Sequence, residues 1–127
     1  MIEYGKEIRI GEHKVYVSED NIIHVKSIGE IDDETANAIL DISRELMKTQ
    51  KDNLKVAIDC NKSGKPSAKA RGVFQELGRN ERLAKVAAFG LHPVAKIIAT
   101  FGMGTEIKKG RYQFFKTEEQ AIQWLKE

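Results

Sequence analysis

The sequence predicts an α/β fold: one mixed sheet, antiparallel strands first, parallel strands after them, with helices packed against it. Three observations carry that expectation. The first thirty residues hold three short runs of alternating or β-branched residues, "KEIRI", "HKVYV" and "NIIHVKSIG". From residue 54 onward the pattern reads as strand then helix, three times over. A single long amphipathic stretch joins the two halves. Short connections and buried strands in the second half favour parallel pairing through right-handed crossovers.

Each element has its own reason. Gly11 and the "SEDN" cluster at 18–21 supply turns, so the first strands form a small antiparallel meander. Asp32 is a fair N-cap, and Asp33 and Glu34 suit the positive end of a helix dipole. Ala36, Ile39, Leu40, Ser43, Leu46 and Met47 then recur at helical spacing, and the helix fades near Gln50. "LKVAID", residues 54–59, reads as a strand. Ser67 caps a helix carrying Ala70, Val73, Phe74 and Leu77 on one side. "KVAAFG", 85–90, is a short buried strand. His92 and Pro93 open the next helix, with Val94, Ile97, Ile98 and Phe101 as its stripe. "RYQFF", 111–115, is the last strand. A capping box from Thr117 to Gln120 opens the last helix, whose Ala121, Trp124 and Leu125 face inward. Helices are thus expected from near residues 33, 68, 93 and 118.

The length of 127 residues fits one domain, residues 1–127. The formal net charge of +2 gives no argument for nucleic acid or for an anionic membrane surface. The single cysteine, Cys60, excludes an internal disulfide and fits a reducing compartment. The opening "MIEYGKEIRIGEHK" has no apolar signal core, and no apolar run reaches bilayer length. A cytoplasmic protein without a transmembrane segment is expected.

The stretch "IDCNKSGKPSAKARG", residues 58–72, concentrates the candidate chemistry. A P-loop would need a glycine where Asp59 stands and Ser or Thr where Pro66 stands, so that reading fails. Ser67, His92 and Asp59 could be assembled as a hydrolase triad. There is no nucleophile elbow, however, and His92 sits before a proline as a cap residue would. His13, His24, His92 and Cys60 lack the paired spacing of a metal site; no metal, cofactor or catalytic residue is expected. His13 and His24 read as surface or edge residues of strands, and Cys60 as a small buried filler. A docking or switch surface is left. Lys62, Lys65 and Lys69 surround Ser67. In a parallel sheet the helix starts at Ser67, His92 and Thr117 would share one edge, where helix N-termini favour anions. A phosphoryl group on Ser67 or Ser63 would meet amides and lysines there.

In its order of elements the chain resembles the STAS domains, named for sulfate transporters and anti-sigma factor antagonists. Within them it is similar to the small bacterial and archaeal branch grouped with the CRAL–TRIO lipid-transfer fold. The resemblance rests on "VAIDCNKSGKPSAKARGVF", "KVAAFGLHPVAKIIATFGMG" and "QFFKTEEQAIQWLKE", and covers most of the chain, loosely at the N-terminus. It implies a non-enzymatic regulatory domain that binds a protein partner, such as a kinase or another regulatory protein. In antagonist members a Ser or Thr at a helix start after a core strand is phosphorylated. Ser67 falls at that position, although Pro66 and Ala68 replace its neighbours in the aspartate–serine–serine–glycine pattern. The CRAL–TRIO side implies instead an apolar ligand, for which Phe89, Ile97, Ile98, Phe101 and Met103 are the candidate lining. The same apolar, glycine-rich "TFGMG" segment suits a partner patch or a homodimer seam.

Overall fold

The computed structural model describes residues 7–18, 20–49, 53–80 and 82–127, without the side chains of 49, 78, 94, 98–103 and 106. Among the described residues six strands and four helices follow in the predicted order. They are β1 (Ile8–Ile10), β2 (His13–Val17), β3 (Ile22–Ile31), α1 (Asp33–Thr49), β4 (Leu54–Pro66), α2 (Ala68–Gly78), β5 (Leu83–Phe89), α3 (Pro93–Lys108), β6 (Tyr112–Phe115) and α4 (Glu118–Lys126). The sheet has the strand order β1-β2-β3-β4-β5-β6, so every strand lies beside its neighbour in sequence. β1, β2 and β3 pair antiparallel, and β3 through β6 pair parallel.

Strand alternation divides the core into two layers. Val15, Val17, Ile23, Leu54, Val56, Leu83 and Val86 face one side, where Leu46 of α1 seals them and Leu77 of α2 packs alongside. Ile22, Ala57, Ala87 and Phe89 face the other side, beneath Ala121 and Leu125 of α4. Adjacent residues such as Val56 and Ala57, or Val86 and Ala87, therefore serve opposite layers. The alanines on both partners let α4 settle close to the sheet. α1 and α2 share a third cluster with the end of β3, made of Ile31, Ala36, Ala70 and Val73. α3 sits beside α2 and β6.

Strand β4 departs from expectation. The sequence ends it at Asp59 and reads the next residues as a loop, whereas the strand continues to Pro66. The reason is its partner. β3 runs on beside it, with Ile28 opposite Lys62, Gly29 opposite Ser63 and Ile31 opposite Pro66, through two irregularities in register. β4 pairs with β5 only as far as Asp59 opposite Phe89. The two strands β3 and β4 thus project beyond the rest of the sheet. Gly64 is what permits this pairing: a Cβ there would lie 2.7 Å from the backbone of both Gly29 and Glu30. Polar contacts fill the irregular part. Buried Ser27 shares a 3.1 Å hydrogen bond with Ser63. His13 is also buried, and its Nδ1 accepts the Ile28 amide at 3.0 Å where β3 leaves register. His13 is therefore a structural partner of the bulge and not the surface residue the sequence suggests.

Candidate functional site

Two helix starts meet at the projecting end of β3 and β4. Ser67 has extended backbone angles, and its hydroxyl accepts the Ala70 amide at 3.1 Å, the N-cap geometry that frees α2 from one orphan donor. The Ser67 amide donates to Ile31 O at 2.9 Å, which ties the cap to the end of β3. The next residue of β3's exit is Asp32, whose Oδ1 accepts the Thr35 amide at 2.8 Å and caps α1. Hydrogen bonding from Thr35 holds the Asp32 carboxyl below the usual carboxylate range. A shallow, open depression of about 400 Å³ covers both starts and is lined by Glu30, Asp32, Lys65, Ser67 and Arg71 among others. Arg71 reaches back to donate to Pro66 O at 3.1 Å. Lys62, Lys65 and Lys69 are exposed around this end, and Ser67 is half-buried. The charge is mixed: cations from β4 and α2 face carboxylates from β3 and α1.

The sequence singles out Ser67 and its lysines, and the structure adds carboxylates beside them. Asp32 was legible as a cap, yet only the pairing of β3 with β4 brings it beside Ser67. Ser63, the second candidate, is half-buried and bonded to Ser27, so its hydroxyl is committed to the strand pair.

His92 is exposed at the start of α3 and does not line this depression. The projection of β4 explains why. The turn after β5 abuts Asn61, since a Cβ on Gly90 would collide with the Asn61 side-chain amide. From Asn61 to Ser67 extended chain runs up to about 20 Å. Asp59 is occupied locally: its Oδ1 accepts both the amide and the side-chain nitrogen of Asn61, at 3.0 and 2.9 Å. Of the hydrolase arrangement, Ser67 and Asp59 are each engaged in separate local structure.

Cys60 is partly buried, and burial, with Asp59 adding to it, pushes its thiol up to about 12. A protonated thiol is a poor nucleophile and a poor ligand. Phe89 is in the core under α4, not in a pocket with α3. Ile97 stands 59% exposed on α3. Ile98, Phe101 and Met103 have side chains outside the described residues. Among the described residues no cluster of three or more metal-ligating side chains occurs. No helix among them is long and apolar enough to cross a membrane.

A mixed sheet in chain order, three crossover helices and a returning fourth make up a SpoIIAA-like fold. An uncharacterised protein of the DUF3478 family from Shewanella loihica PV-4, described as SpoIIAA-like, superposes with a TM-score of 0.69 at 17% identity, over 93% of this chain and 98% of that one. The anti-sigma factor antagonist SpoIIAA in its unphosphorylated form gives 0.68 at 14% identity, over 90% and 97%. The Bacillus cell fate determinant SpoIIAA in its phosphorylated form gives 0.60 at 16% identity, over 87% and 96%. At these identities the likeness is one of fold. By sequence, residues 16–127 match the family described as a domain of unknown function, DUF7793, and the chain belongs to that family. No curated protein matches.

Proposed function

We propose that the protein is a non-enzymatic interaction domain of the antagonist type, working in the cytoplasm, whose partner reads the paired helix starts at Ser67 and Asp32. One observation carries this reading: Ser67 caps α2 at the tip of the projecting strands, half-buried yet beside an open, charged depression. The fold it shares with SpoIIAA, known in phosphorylated and unphosphorylated forms, supports a phosphorylation switch. The chemistry is favourable to a switch rather than to tight anion storage. A phosphoryl group on Ser67 would bring about −1.5 to −2 charge. Lys65, Lys69 and Arg71 would attract it, while Asp32 and Glu30 would repel it. The group would therefore disturb the starts of α1 and α2 together and change the face a partner meets. Open depressions with charged rims suit a protein contact better than an enclosed apolar ligand. Exposed Ile97 on α3 offers a second contact, including one between two copies of the chain.

The test uses protein purified from its own cells. Intact mass should show one phosphoryl group that disappears in Ser67→Ala and persists in Ser63→Ala. Affinity capture should recover a partner with wild type and Ser67→Ala and lose it with Ser67→Asp. Equal capture by all three, with no phosphorylated species, would remove Ser67 from the mechanism.

A further inference from the structure

A second crevice lies well away from Ser67, at the far side of the sheet. The chain changes faces between β5 and β6. After β5 it enters α3, beside α2; after β6 it enters α4, on the opposite side of the sheet. Such a switch leaves a gap outside the carboxyl ends of the two strands, the place where open α/β sheets receive ligands. Here the gap measures about 960 Å³ and is open to solvent. Gly90, at φ +74, turns the chain away at the end of β5 and helps to open it.

The lining defines what would fit. Phe115 and Trp124 supply an apolar wall on the α4 side, their rings 5.6 Å apart and tilted by 44°, and Phe114 lines the crevice from the other face of β6. Lys96 lies 5.7 Å over the Phe114 ring, and Lys116 stands at the rim. The first turn of α3 carries no acidic residue, whereas Glu118 and Glu119 offset the positive end of α4. Among the described residues Glu127 is the only acidic side chain in the lining. We propose that this crevice binds a small molecule bearing an anionic group on a flat aromatic ring. The ring stacks on the aromatic walls, and the carboxylate or phosphate lies between Lys96, Lys116 and the start of α3. This site is independent of Ser67 and of any phosphorylation there.

The experiment is an NMR titration of the full ¹⁵N-labelled chain with 2-naphthoate, 1-naphthyl phosphate and neutral 2-naphthamide. Trp124 is the single tryptophan, so its indole signal reports the crevice unambiguously, alongside the amides of Gly90, Leu91 and Lys116. Fragments of this size bind with Kd on the order of 1 mM, so the titration runs to about 10 mM. At least one anion should move these signals and saturate, with naphthamide binding more weakly. Which of the two anions binds better identifies the carboxylate or phosphate source. Lys96→Glu and Lys116→Glu should each weaken the anion about three- to fivefold, while Lys48→Glu on α1 should change nothing. Absence of shifts, equal affinity for naphthamide, or indifference to both crevice lysines would overturn the proposal.

Discussion

A methyl group at Gly64 would lie 2.7 Å from backbone atoms of β3 that have nowhere to go. Gly64→Ala should therefore cost about 1–3 kcal/mol in a urea melt, as overpacking does. Gly72, in α2, has nothing within 4 Å of the same hypothetical atom. Gly72→Ala should instead gain about 0.5–1 kcal/mol from helix propensity and a stiffer unfolded chain. Wild-type stability in Gly64→Ala would mean that β3 and β4 do not approach closely there. Cys60 gives a second test at this scale. Its raised thiol pKa keeps it protonated at neutral pH, so native protein should react slowly with a disulfide reagent and fast in urea. Rapid labelling without denaturant would refute the burial. Residues such as His13 and Ser27 were not legible in the sequence. Their partners, Ile28 and Ser63, are fixed by strand register, and nothing local announces it.

The starts of α1, α2, α3 and α4 were legible because each carries its own chemical mark: Asp32, Ser67, Pro93 and Thr117. Even the last box holds, with the Gln120 amide on Thr117 Oγ1 at 3.3 Å, although the Gln120 side chain takes the Lys116 amide instead. The end of β4 was not legible, since "CNKSGKP" has the composition of a turn and only the neighbouring strand overrides it. α4 shows what holds a short helix in place. Leu125 and Ala121 are fully buried, while Trp124 is only half-buried against Phe115. Leu125→Ala should cost about 2–5 kcal/mol and exceed the cost of Trp124→Ala. Lys85 adds a contact that sequence could not show. Its ammonium donates to Trp124 O at 3.0 Å and Glu127 O at 3.3 Å, and lies 4.8 Å over the Trp124 ring. Lys85→Met should lose about 1 kcal/mol, read as a lower urea midpoint. An unchanged midpoint would show those last carbonyls to be satisfied by water.

At the scale of the molecule, the mixed sheet and its order were predictable from the rhythm of strands and helices. The side on which α4 packs was not, because an amphipathic stripe names a core without naming a face. That choice creates both the second core layer and the crevice at β5 and β6. It also places α4 near the β2–β3 hairpin, where Lys126 reaches Asp20 at 3.5 Å. His24 stacks on Tyr16 there with ring centroids 4.5 Å apart, and its Nε2 meets Ser18 Oγ at 3.1 Å. Burial lowers the pKa of His24 below 6.5, against a smaller upward pull from Glu118 and Asp20. A neutral ring costs nothing above 6.5. Below it the unfolded chain binds a proton that the folded chain resists, so stability falls with falling pH. Asp20 and Asp32 are held below 3.8, chiefly by hydrogen bonds from Ser18 and Thr35, and their contribution is lost as pH falls further, through those lowered values. Melting temperature should thus decline in two stages, and His24→Gln should flatten the first, between about pH 7 and 5. A slope unchanged by that substitution would assign the first stage to another group.

Because spatial order follows chain order, each strand of this sheet can join the one made just before it, with no gap held open for a later arrival. Emerging from a ribosome, the chain could assemble its α1–α2 side progressively. The opposite side cannot close that way. Ile22, Ala57, Ala87 and Phe89 wait for α4, which follows every strand of the sheet in the chain. Until Leu125 arrives the nascent sheet has one finished face and one bare one, and chaperones would meet it on the bare one.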